Sequence, residues 1–433
     1  MLNVIFLLIY GFGAGFLNGA GLFSLLTFHF AVLFVQHIMK KNSVITPLFI
    51  YYAGVIIVNI ANLVLISKVA AGTNKTYVYI IPKYIDDAAQ IWCVSCTAFI
   101  MGYNWTKDRA LPSIAVEIKK RKILQNLFWI LIALNLLTIV GYGVNLRGNQ
   151  FGKIFGLLNS ISILFFARLW AKENNKTYRS YALILFVIET YIALISSFLR
   201  FELILPTFYL FAGYFIGKGD IKIIFTYRII PLLVVIAIYA SVFTSLQNNR
   251  SNFISVFNED GTTSQNENSS ALLDRSANLA QLTNIVNLVK RNGFYEGRAS
   301  APIVTALIPR ALWPDKPLIQ LGAWFALEIG VAYKGVGGRS NNSINMTVAG
   351  ELFLDFGWAG VLIGSLLFGA FFAVLWNSTK FYMSANNITG TIFGGYLFVL
   401  SIGGYGDLQF AITLLSTYLI FWFIKKMSGS LSL

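Results

Sequence analysis

The chain has 433 residues, of which 57% are hydrophobic, 15% aromatic and only 12% charged, and its mean hydropathy is +0.68. That composition excludes an ordinary soluble protein and describes one that crosses a membrane many times. A net charge of +15 would suit nucleic acid, but in so apolar a chain much of it is topological, and anionic lipid head groups are the natural counter-charge.

In chain order, apolar runs close to the ~20 residues needed to cross a bilayer are centred on 3–18, 20–38, 44–66, 84–105, 125–143, 154–170, 181–199, 202–217, 223–243, 348–375, 389–404 and 409–424. The expectation is an all-α polytopic integral membrane protein with about twelve spans. The first run lacks a basic n-region and a small-residue cleavage site and is followed directly by another span, so it reads as a retained helix. Lys and Arg stay on the cytoplasmic side of short loops. Lys40 and Lys41, then Lys119 to Lys122 with Arg121, then Lys172, Lys176 and Arg179, then Lys218 and Lys222, and finally Lys425 and Lys426 occupy every second loop. Both termini are therefore expected inside. The chain divides into a bundle of about nine helices at 1–243, a long outer loop at 244–347, and about three further helices at 348–433.

Cys93 and Cys96 form a CxxC inside the fourth span, and His29 and His37 lie two turns apart in the second. One isolated cysteine pair gives neither a zinc site nor a redox loop, so packing is the expected role and no metal or cofactor is expected. Asn258 to Ser270 has almost no apolar residues and reads as a mobile outer loop. After it, Leu272, Leu279, Leu282, Val286 and Val289 recur at helical spacing and predict an amphipathic helix over 271–291, lying on the bilayer surface or packed onto the bundle. The run Lys334 to Asn342 carries three glycines beside Arg339, which suits close approach of backbone amides to an anion. It lacks the GxxxxGK[ST] pattern of a phosphate-binding loop.

The outer loop also carries the rigid, charged segment IPRALWPDKP at 308–317. Its three prolines fix the backbone and disfavour helix, presenting Arg310, Asp315 and Lys316 in a set geometry. Ionisable residues at span edges are costly unless they face a partner or a cavity. Arg200 is placed at the outer end of the seventh span, on the face of Glu189, and Glu351 and Asp355 open the tenth span one turn apart; together they point to a polar cavity near the outer leaflet. Snorkelling to the interface is the alternative for Arg200.

The run YEGRASAPIVTALIPRALWPDKP (295–317), followed by SINMTVAGELFLDFGWAGVLIGSLLFG (343–369), resembles the Wzy-type polymerases of O-antigen and capsule repeat units in bacterial inner membranes. The resemblance covers roughly 270–370; the N-terminal half shares hydropathy, Ile45-Thr46-Pro47-Leu48-Phe49, and an arginine at position 200. It implies a metal-independent, GT-C-like glycosyltransferase joining undecaprenyl-diphosphate-linked oligosaccharides on the periplasmic face, with a chain-length regulator protein as a further possible partner and no nucleic acid.

The residues suit such chemistry. A lipid diphosphate leaving without a metal requires fixed positive charge, and Arg200, Arg275, Arg298, Arg310, Lys316 and Arg339 are available on the outer side. Arginine's planar fork matches phosphate, and Arg200 and Arg310 are the first choices. Lys316 reads equally as an ion-pair partner of Asp315, and Arg275 as a solvated helix face. The acceptor hydroxyl must lose its proton, and Glu296, Asp315 and Glu351 are the carboxylates near the motifs. The related O-antigen ligases carry a histidine in the long outer loop, where this chain has none. A flippase or secondary transporter would also show many spans and a basic cavity, although the long late loop departs from paired halves. A membrane acyltransferase would need a histidine base that neither His29 nor His37 supplies.

Overall fold

The computed structural model describes residues 2–12, 16–39, 46–73, 78–110, 121–140, 150–196, 200–218, 277–300, 321–333 and 344–379. Its regular structure is helical throughout: α1 (Leu2–Phe12), α2 (Gly19–Met39), α3 (Pro47–Ala70), a single 3₁₀ turn (Pro82–Tyr84), α4 (Ile85–Thr106), α5 (Arg121–Val140), α6 (Gln150–Glu173), α7 (Lys176–Ser196), α8 (Arg200–Lys218), α9 (Leu279–Asn292), α10 (Leu321–Glu328), α11 (Thr347–Ala359), and α12 (Ser365–Thr379), joined to α11 through a wide turn at Gly360–Gly364. The all-α expectation holds.

Among the described residues, Gly19–Met39, Pro47–Ala70 and Thr347–Ser378 are the helices long and apolar enough to cross a membrane. Helices also occupy the expected stretches around 84–105, 125–143, 154–170, 181–199 and 202–217, whereas 223–243, 389–404 and 409–424 lie outside the described residues. The first run is shorter than expected, since α1 has 11 residues. The opening of α3 follows from Thr46-Pro47. Thr46 Oγ1 accepts a hydrogen bond from Phe49 N, and Pro47 sits at the first helical position, where its missing N–H costs nothing.

α4 lies at the centre of one group of helices, packed against α1, α2, α9, α11 and α12. Every residue from Ala88 to Ile100 is buried, so no face is left for lipid. This explains why α4 is less apolar than α1, α2, α11 and α12: it carries Gln90, Ser95, Thr97 and Thr106, whose polar groups are matched inside the bundle. Gln90 Nε2 donates to the carbonyls of Tyr10 and Gly11 at 3.0 and 2.8 Å, Ser95 and Ser365 share a hydroxyl bond of 2.7 Å, and Thr106 Oγ1 donates to Ala370 O at 2.9 Å. α4 and α12 approach so closely that a Cβ on Gly102 would sit 1.8 Å from Leu366 O, and one on Gly369 2.0 Å from Phe99 O. Small residues that let backbones touch are the usual means of joining helices in lipid. The order of these contacts makes α4 and α12 parallel.

A second group comprises α5 to α8. Gly213 and Gly217, four residues apart on α8, rest on the carbonyls of Leu164 and Arg168 of α6. Phe128 of α5 stacks on Tyr181 of α7 with centroids 4.0 Å apart, and Phe166 of α6 meets the same tyrosine edge-on.

Candidate site at the α9–α11 joint

One end of the α4 group collects the start of α4, the segment before it, α9 and the start of α11. This is the end that the basic-residue pattern assigns to the outside. α9 occupies part of the predicted amphipathic stretch, with 271–276 outside the described residues. Its apolar face is covered by protein: Leu279, Leu282, Ile285 and Val286 are buried against α4 and α11. Of the two sequence readings, packing onto the bundle is the one observed.

α9 lacks a cap of its own, and α3 supplies one. Asn62 Oδ1 accepts hydrogen bonds from Asn278 N and Leu279 N, both at 3.1 Å, while Asn62 Nδ2 donates to Asn278 Oδ1 at 2.8 Å. Two of the amides orphaned at a helix start are thus satisfied from a helix more than two hundred residues earlier. Thr283 Oγ1 accepts from Ile81 N at 3.3 Å, and Asn284 Nδ2 donates to Tyr79 O at 2.8 Å. Gly350 of α11 lets Ile285 in, since a Cβ there would lie 2.4 Å from Ile285 Cδ1.

At its other end α9 leads into Phe294 to Ser300, which α11 holds by both backbone and side chain. Tyr295 N donates to Leu354 O and Glu296 N to Asp355 O, each at 3.0 Å. The Asp355 carboxylate then accepts from Ala299 N at 3.0 Å with one oxygen, and from Ser300 N at 2.8 Å and the Ser300 hydroxyl with the other. Asp355 is 1% exposed, and these bonds are what makes a carboxylate tolerable there. It therefore serves as a clamp and does not line an open polar cavity, contrary to the sequence expectation. The signal was the position of Asp355 at a span edge; what could not be read was the partner 55 residues upstream.

The backbone around this clamp is strained on both sides. Glu296 (φ +52°) and Gly297 (φ +86°) are consecutive left-handed residues, a conformation that costs a side-chain-bearing residue free energy and persists only where its surroundings impose it. Gly357 has φ +61° and ψ −144°, accessible essentially to glycine alone. The Phe294 ring lies 2.8 Å from where its Cβ would stand. The tenth predicted span is thereby broken at Gly357, and Glu351 and Asp355 lie before the break.

Of the predicted site residues, Glu296 and Arg298 share the clamped turn and are exposed, whereas Glu351 is 2% exposed within α11. Arg200 is the first residue of α8 and not the last of α7, which ends at Ser196. Arg200 and Glu189 therefore lie on two helices and not on one face of a single span, contrary to the sequence expectation. Arg275, Arg310, Asp315, Lys316 and Arg339 lie outside the described residues. Sequence reading passed over Lys290 and Arg291, exposed in the last turn of α9, where the helix dipole favours cations.

Cys93 and Cys96 are free and buried in α4, and His29 stacks on Phe6 with its Nε2 3.0 Å from Asn3 Oδ1. Among the described residues no three His, Cys, Asp or Glu side chains gather as a metal site. A family model matches residues 31–427. The chain belongs to the family described as Domain of unknown function (DUF8712). The match takes in every element of the DUF8712 chain's joint, from Asn62 to Gly357. No curated protein and no solved structure matches it.

Proposed function

We propose that this chain polymerises oligosaccharide repeat units carried on undecaprenyl diphosphate, as a twelve-span enzyme of a bacterial inner membrane with residues 244–347 on the periplasmic side. The observation that supports this reading is the clamp. The two stretches that resemble repeat-unit polymerases, 295–317 and 343–369, are fastened together through Asp355, Ala299 and Ser300.

In this reading the growing chain passes from its lipid diphosphate to a hydroxyl of the incoming unit. The hydroxyl oxygen attacks the anomeric carbon, the bond to the diphosphate breaks, and the electron pair leaves on a diphosphate oxygen. Arg298, exposed on the clamped turn, and Arg310, ten residues after Ser300, are first to meet that charge, with Arg200, Arg275, Lys316 and Arg339 as further partners. Of the two described candidate carboxylates, Glu296 is exposed and Glu351 buried, and this reading therefore assigns the acceptor's proton to Glu296.

The test is the length distribution of surface polysaccharide from a strain lacking the gene, beside the strain complemented with wild type or Arg310→Ala. A polymerase predicts loss of the ladder with single units still reaching the final acceptor, and no rescue by Arg310→Ala although the protein inserts normally. Full-length polymer held on the carrier lipid would indicate a ligase, and loss of all outward-facing units a transporter.

A further inference from the structure

The α5–α8 group carries a feature that the polymerase reading does not use. Between α5 and α7 lies a cleft of about 200 Å³ lined by Gln125, Thr177, Tyr178 and Tyr181. At this cleft Gln125 is exposed and Tyr181 half-buried, which brings an amide and a phenol to it. The Tyr181 ring is stacked on Phe128, with 13° between the planes, so its hydroxyl is carried on a fixed ring.

The surroundings of the cleft are basic. Lys122 stands three residues before Gln125 on α5, hence on the same face, and Lys176 directly precedes Thr177; both are exposed. Lys172 is exposed in the last turn of α6. The Arg179 guanidinium lies 5.6 Å from the Trp170 ring, and Lys218 Nζ 6.0 Å from the Tyr214 ring. Glu173 is an exposed acid in the same region. The positive-inside pattern accounts for lysines at this end, but it does not require a recess with an amide and a phenol between two helices.

We propose that this cleft binds the phosphate ester of an anionic lipid head group, such as phosphatidylglycerol, at the end of the bundle that the charge pattern assigns to the cytoplasm. The Gln125 amide and the Tyr181 hydroxyl meet the phosphate oxygens, and Lys122 and Lys176 supply the counter-charge. Basic recesses between helices on that side of a membrane are suited to such head groups. The inference is independent of what reaction the outer end performs.

The full-length protein, purified in detergent, is exposed to an equimolar mixture of phosphatidylglycerol and phosphatidylcholine with identical acyl chains, and the lipid retained after gel filtration is measured by mass spectrometry. Wild type is expected to retain phosphatidylglycerol preferentially. Lys122→Gln/Lys176→Gln should lower that preference on the order of tenfold, whereas Lys83→Gln, outside the α5–α8 helices, should leave it intact. Gln125→Phe, which fills the cleft without changing net charge, should abolish the preference as well. Preference that survives Gln125→Phe but not the lysine changes would mean diffuse attraction to a positive surface, and would overturn the cleft. Displacement of the retained lipid by inorganic phosphate or glycerol phosphate at equal concentration would overturn the lipid assignment in favour of a soluble phosphate. Equal retention of both lipids by wild type would remove the site altogether.

Discussion

The α4-centred helices and the α5–α8 helices are both assembled by close approach at glycine, but the α4 group also holds a segment of irregular backbone. In α5–α8, Gly213 and Gly217 rest on α6 and Phe128, Phe166 and Tyr181 pack on one another, around buried Asn135, Arg168 and Glu189, each of which has an interaction partner. Around α4, hydrogen bonds run from helix to helix and from helix to loop, through Asn62, Gln90, Ser95, Thr106 and Asp355. They are most frequent at the end where α9 and the 294–300 turn must be held. Packing suffices to keep two helices side by side, because many side-chain arrangements fill the same gap. Fixing a segment of irregular backbone requires directed bonds, because each of its amides needs a specified partner.

The largest effect expected from breaking this contrast is at Gly102. Gly102→Leu places carbon where the Leu366 carbonyl already lies, and the central helix cannot move without disturbing five neighbours. The loss should be about 3 kcal/mol or more, seen as failure of the purified protein to elute as a single species. Gly217→Leu makes a similar clash with Arg168 O at 2.5 Å, but it lies one residue from the end of α8, where the chain can splay. Its protein should remain monodisperse. Next is Asp355→Ala, which strips partners from two backbone amides and a hydroxyl at about 1–3 kcal/mol for each donor left buried. Amide hydrogen exchange should rise across 293–300 and stay unchanged in α6 to α8. Asp355→Asn keeps one acceptor and should fall between. Equal rises in both regions would show that the clamp is not local.

The sequence made the helices legible because apolar runs near bilayer length have few other uses. Hydropathy is a poorer guide to which helix is central: the enclosed α4 is less apolar than α1, α2, α11 and α12, because burial within protein tolerates the serines and threonines that lipid would not. The joint was half legible. The charged residues of 295–300 and 351–355 stand out against hydrocarbon, but a carboxylate's partner is set by the fold and not by spacing, so neither the Asp355 clamp nor the Asn62 cap is legible in the sequence. The break at Gly357 was hidden because a glycine within an apolar run is common in membrane helices, and only its dihedral angles distinguish a hinge from a packing contact.

Smaller effects sharpen the comparison. Asn62→Ala removes the cap that α3 lends to α9 and should cost about 1–2 kcal/mol, with faster exchange in the first turn of α9 and none of the change reaching the 295–300 turn. The smallest is the hydroxyl pair in the interior. Ser95 and Ser365 lie 270 residues apart and share one bond of 2.7 Å between parallel helices already joined by glycine contacts. A double-mutant cycle of Ser95→Ala, Ser365→Ala and the pair isolates the bond from the packing each serine makes alone. Bonds of this kind within membrane bundles average about 0.6 kcal/mol, because separated helices find other partners. A coupling of that size, measured by chemical denaturation in detergent, would place the strength of the α4–α12 contact in its glycines. A coupling well above about 1.7 kcal/mol, the upper end for such bonds, would mean that the polar ties hold the bundle together as well as fixing the loop.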